Sequence, residues 1–267
     1  MKRCHAEVKF TLSLSKGSIF NFFNMKTFHI LNGDCLAESF PKEIEGEKII
    51  WREALISGPV SEHNFFENRK AFISESFDGN PDDYQWMVVD EFNKIKNIPE
   101  GSEVYFWFED DMFCQVNFWF LLSNINYENI KIFSVFPQFK NEKDRWKGFG
   151  ISSEQDLMDS FKSAIEISKQ EIALANELWT AFSNLDLEQL KILSKIKSMV
   201  FLKLREIVHL YIEFSEGKLN DKILDIQNSE KDFGKIFQQF SEQFGEFGFG
   251  DLQFKLILKN LYDGKLS

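Results

Sequence analysis

Four short apolar runs, each ending in polar or turn-forming residues, constrain the fold of this chain more than any other feature. They cover residues 27–31, 48–51, 104–108 and 130–134. The first runs into Asn32, Gly33 and Asp34, and the second into Arg52 and Glu53 and then Gly58-Pro59. The third runs into Glu109, Asp110 and Asp111, and the fourth reaches Pro137. Amphipathic stretches lie between them: residues 35–40, a stretch from near Ser61 to Phe77, one carrying Tyr84 to Ile95, and residues 112–123. Strands alternating with helices predict a parallel sheet with helical crossovers. The expected fold is α/β, a small four-stranded parallel (Rossmann-like) sheet over residues 25–145. In such sheets ligands bind beyond the carboxyl ends of the strands, which is where the polar clusters gather.

Residues 137–153 read as a polar linker containing Pro137, Gly148 and Gly150. Beyond it the apolar spacing is helical throughout, including residues 154–182 and a continuous pattern over 186–214. A last pair of helices flanks residues 245–250. The expected organisation is therefore an α/β domain over 25–145 and an all-helical C-terminal domain over 146–267. Residues 1–24 form an uncertain N-terminal extension. They read either as an over-long reading frame ahead of Met25 or as an edge strand, since residues 7–14 alternate polar and apolar.

Charge narrows the function. The chain carries a formal net charge of −11. Residues 25–159 hold 13 basic and 25 acidic side chains, a net −12, whereas residues 160–267 net −2. That field disfavours nucleic acid, whose binding rests on neutralisation of phosphates by Lys and Arg. No run approaches the roughly 18 apolar residues of a membrane span. Cys4, Cys35 and Cys114 are odd in number and widely spaced, so neither a zinc site nor a disulfide framework is signalled, and a reducing cytoplasm is the expected compartment. The 31 Phe, beside abundant Lys, Asn and Ile, read first as a compositional bias and only second as an aromatic surface.

Three blocks share an order and spacing with a known family: residues 29–34, the Trp51-Arg52-Glu53 to Gly58-Pro59 block, and residues 108–115. Together with residues 248–254, they resemble the bacterial group called domain of unknown function 1835 and its helical C-terminal companion. The resemblance spans about residues 25–265. It implies an uncharacterised protein with an α/β domain followed by a helical one, and no established activity.

The residues themselves nominate a site: Asn32, Gly33, Asp34, Arg52, Glu53, Glu109, Asp111 and Gln115 as ligand-binding candidates. Asp34, Glu53 and Glu109 are the acid–base candidates, and Asp34 and Glu109 the candidates to hold Mg2+. Arg52 would grip an anion or phosphate, or else pair with Asp34 or Glu109. The bland reading makes Asp34 and Asp111 helix N-caps and the other acids solvated. Gly33-Asp34-Cys35-Leu36 resembles the Gly-Asp-Ser-Leu block of SGNH-type esterases, but the late Asp-x-x-His of that group is absent, and His209 reads as a core residue. Neither G-x-G-x-x-G nor G-x-x-x-x-G-K-[ST] occurs. Two functions stay open: binding of a small anionic or phosphorylated ligand at the sheet edge with Mg2+, or a non-enzymatic partner-binding or regulatory module using the helical domain, which would also serve a homo-oligomer.

Overall fold

The computed structural model describes residues 25–77 and 79–264; the N-terminal extension lies outside them. The chain is α/β, with a five-stranded, mostly parallel sheet in the order β2-β1-β3-β4-β5. The strands are β1 Thr27–Asn32, β2 Glu47–Trp51, β3 Glu103–Trp107, β4 Lys131–Val135 and β5 Ile165–Glu166. The first four are the expected runs, shifted by a residue at some ends. Their continuous apolar character follows from helices covering both faces: Ile30, Leu31, Ile49, Val104 and Phe106 are all fully buried.

β5 was not expected, because two residues carry no period of their own. It pairs antiparallel with β4, Ser134 facing Ile165 and Phe133 facing Glu166. It lies beyond residue 146, so the sheet itself draws on the segment that reads as purely helical.

Helices α1 Asp34–Ser39, α2 Phe65–Phe77, α3 Pro81–Tyr84 and α4 Asp90–Lys96 lie among the first three strands, with a π turn at Gln85–Val89 joining the last two. α5 Met112–Asn124 follows β3. It buries residues on every side, among them Val116, Phe118, Trp119 and Leu122, as a helix between two packed layers must. Asp111 caps it by accepting the Cys114 N–H at 2.9 Å. Asp34 does not cap α1: Gly33 occupies the N-cap position, and the Asp34 side chain turns to Arg52.

Residues 137–153 are more than a spacer. They hold 3₁₀ turns over Glu142–Ile151, kinked at Gly148, which pack back towards the sheet edge. α6 Glu154–Lys162, α7 Lys169–Ser183, α8 Leu187–Leu193 and α9 Leu204–Ser215 follow. The single helical pattern expected over 186–214 is broken: residues 194–203 leave the helix, and of the apolar positions that carried the pattern there Ile196 is exposed while Val200 is buried. His209, expected in the core, is exposed on α9 and faces Glu213 at 3.6 Å.

The main apolar core takes in one face of the sheet together with α3–α5 and α7–α9 as far as Tyr211, and a smaller cluster that includes Leu31, Leu36, Trp107, Val135 and Leu157 packs α1 and α6 on the other face. α10 Asn220–Ser229, α11 Phe233–Gln243 and α12 Asp251–Tyr262 build a second apolar cluster around Ile223, Phe240, Phe247 and Phe254. No helix of the described residues is long and apolar enough to cross a membrane.

Candidate functional site

The strand order creates a natural crevice. The chain leaves β1 towards β2 on one side and leaves β3 towards β4 on the other, so the loops after β1 and β3 diverge. The register sets these ends level, with Asn32 opposite Trp51 and Leu31 opposite Trp107. An open α/β sheet binds its ligands where connections diverge in this way.

A cavity of about 260 Å3 lies there. Its floor is Asn32, Glu109, Asp111 and Cys114; its other side is built by Trp146 of the 3₁₀ segment and by Phe240, Phe244, Gly248 and Phe249 near the C-terminal end. Asn32 Nδ2 donates to Cys114 Sγ at 3.0 Å. Asn32 Oδ1 accepts from Asn117 Nδ2 at 3.3 Å, and Asn117, buried in α5, also donates to the Glu53 carbonyl at 2.8 Å. Asn117 thus ties the ends of β1 and β2 to α5.

Glu109 Oε1 accepts the Phe149 N–H at 2.6 Å, and the Cys114 thiol faces Oε2 at 3.8 Å. Two glycines bring backbone against the carboxyl pair. A β-carbon on Gly148 would fall 1.9 Å from the Glu109 carboxyl carbon, and one on Gly248 1.9 Å from Asp111 Oδ1. Both glycines also hold left-handed φ, +53° and +65°, which side-chain-bearing residues adopt at a cost.

This enclosure sets the protonation state. Burial first, and the neighbouring Asp111 second, push Glu109 up to about 8. Asp111 is also raised, by burial, and the Cys114 thiol is pushed well up by burial and then by the two carboxyl groups. At neutral pH Glu109 therefore keeps its proton and shares it with Asp111. Such a group can give or take a proton near pH 8, the requirement for a general acid or base at physiological pH.

The remaining nominated residues stand apart from this cavity. Asp34 and Arg52 form an ion pair at 2.9 Å in an adjoining hollow of about 240 Å3 that also takes in Gly33, Glu53 and Gln253. Glu53 is fully buried, held by Arg69 at 2.6 Å, by the Tyr84 hydroxyl and by the Ala54 N–H at 2.9 Å. Asp110 is gripped by Arg145, which partly offsets the burial that pushes its pKa up. Gln115 is buried, its amide donating to the Glu109 carbonyl at 2.6 Å, so it braces the loop from behind.

Among the described residues, Glu109, Asp111 and Cys114 are the group of three whose potential metal-ligating atoms lie within 4.8 Å of one another. The set is a poor match to Mg2+, which takes oxygen ligands at near-ideal octahedral geometry. Sequence reasoning missed Cys114, Trp146, Phe240 and Phe244 as cavity residues. Of these only Cys114 lies in a block singled out from the sequence, residues 108–115, while the cavity residues Gly248 and Phe249 lie in the other, residues 248–254. Comparison of the chain with protein-family models, with curated proteins and with solved structures finds no match.

Proposed function

We propose that this chain binds a small ligand in the cavity beyond β1 and β3, with Glu109 and Asp111 as its polar anchor. The observation that carries this reading is a carboxyl pair with no basic partner among the described residues, lined by aromatic side chains at the divergence of the sheet. A volume of about 260 Å3 suits a ligand below drug size, for which pockets run about 300–1,000 Å3. An anionic or phosphorylated ligand would need a counter-cation to enter this cavity, because no Lys, Arg or His is among the described residues that line it. The strand order supports a small Rossmann-like unit. The separate apolar cluster of α10–α12 supports a helical C-terminal companion, in keeping with the resemblance to the domain of unknown function 1835 group.

The test is a thermal-shift panel on the full chain: nucleotides, sugar phosphates, carboxylates and amines, each with and without Mg2+. A ligand at about 100 times its Kd adds about 2.7 kcal/mol. A shift abolished by Glu109→Gln supports the reading. A shift abolished only by Asp34→Asn moves the ligand to the adjoining hollow. No shift across the panel defeats the reading in favour of the partner-binding alternative.

A further inference from the structure

Five acidic residues at this sheet edge separate into two kinds by what stands opposite them. Asp34 faces Arg52, Glu53 faces Arg69 and Asp110 faces Arg145. The Glu109–Asp111 pair, alone among them, faces no basic side chain in the described residues and opens onto the cavity instead. We propose that the ligand of this cavity is a small organic cation, a primary ammonium or amidinium group on a compact apolar or aromatic body, seated against Glu109 and Asp111. This rests on the reading of the cavity as a ligand site.

Three observations converge on that class. A cation bonded to a carboxylate makes charge-assisted hydrogen bonds, about twice as strong as neutral ones, and here it completes the pattern that three arginines complete at the neighbouring acids. Above the carboxyl pair the walls are rings: Phe113, Trp146, Phe244 and Phe249 line the space with Phe240. Aromatic faces attract ammonium and amidinium groups through the ring quadrupole and pack against an apolar body. Burial is the first cause that raises both carboxyl groups, and no basic side chain stands among the causes that would lower them.

A metal ion explains less. The Cys114 thiol is pushed well up by burial and by its acidic neighbours, which keeps it protonated, and metals are ligated by the thiolate. The Asn32 amide already donates to that sulfur. A bare ion would also leave the aromatic walls without a role.

The test is calorimetric titration of the full chain with probes of one size and three charges: benzylamine and benzamidine, benzyl alcohol, and benzoate. Mg2+ and Mn2+ are titrated alone. The expected result is saturable one-to-one binding of the two cations, at least about tenfold tighter than the alcohol or the benzoate, from the strength of a charged hydrogen bond. Glu109→Gln should remove that tenfold preference. Trp146→Leu should weaken the cations severalfold, and unfolding midpoints close to the parent protein would show that both variants fold. Benzyl alcohol or benzoate binding as tightly as the amines overturns the charge assignment and leaves the cavity standing as a ligand site. Saturable binding of the divalent ions alone overturns it in favour of a metal. Silence from every probe overturns both the cation and the ligand-site reading.

Discussion

Glu53 and Glu109 follow β2 and β3, the strands on either side of β1, at the same edge of the sheet, and they have been treated by the fold in opposite ways. Glu53 is closed on every side: the Arg69 guanidinium lies bidentate against it, Tyr84 donates to one oxygen, and the Ala54 N–H to the other. It fixes the loop after β2 to α2 and α3 and leaves no room for anything else. Glu109 has one backbone N–H, a thiol and a second carboxyl group for company, and a cavity in front of it. The comparison teaches that a buried carboxylate becomes informative about function through its missing partner. A satisfied one belongs to the scaffold.

The largest effect expected from this contrast comes from breaking the satisfied side. Arg69→Met should strand Glu53 as a buried, unpaired charge and cost about 3–5 kcal/mol in urea unfolding. A cost below about 1 kcal/mol would mean that Glu53 is not held as an ion.

Next comes the roof of the open side. Gly248→Ala forces a methyl group onto Asp111 Oδ1 at a left-handed φ, and should cost about 2–3 kcal/mol while abolishing cavity binding. Full binding in that variant would displace the site from the Gly248 side.

pH sharpens the comparison at intermediate size. The unfolded Glu109 loses its proton near 4.5, whereas the folded one keeps it to about 8. The folded state therefore holds the extra proton, and this contribution is complete below 4.5 and lost as pH rises to about 8. His29, buried in β1 and lowered to about 4 by desolvation, has the opposite sign: its contribution is present above 6.5 and is lost as pH falls towards 4. Above 6.5 only Glu109 of these two is changing. The unfolding free energy from urea titrations should fall between pH 6.5 and 8 by at most about 2 kcal/mol, and Glu109→Gln should flatten that limb. An unchanged limb in the variant would assign it elsewhere.

The smallest effect belongs to Arg52. Its partner Asp34 is half-exposed, so Arg52→Ala should cost less than about 1 kcal/mol. A larger loss would make that pair part of the scaffold beside Glu53.

How much of this was legible in the sequence follows from what each feature depends on. The four long strands show through because a sheet covered on both faces needs unbroken apolar runs, and their polar endings gather at one edge of it. Asp111 as a cap and Arg52 as the partner of Asp34 were among the alternatives that local spacing offers. The division of the acids was not legible, because it turns on arginines 16 to 35 positions away for Glu53 and Asp110 and so on strand order. Trp146 and Phe149 sat in a stretch whose polarity reads as linker. Gly148 and Gly248 act through backbone approach, which leaves no periodic trace. β5 is too short for a pattern, and the apolar spacing of Leu193, Ile196 and Val200 persists where the helix does not.

The second apolar cluster has a kinetic consequence. Phe240 and Phe249 belong to it and also line the cavity, whereas the floor of the cavity hangs from the main core. Detaching α10–α12 from the sheet edge would break the seam between two cores while leaving each intact, an opening that costs less than global unfolding. Amide exchange in α11 should then run faster than in α5 in the empty protein, and an occupant bridging both walls should slow it. Entry into the cavity would be timed by that seam.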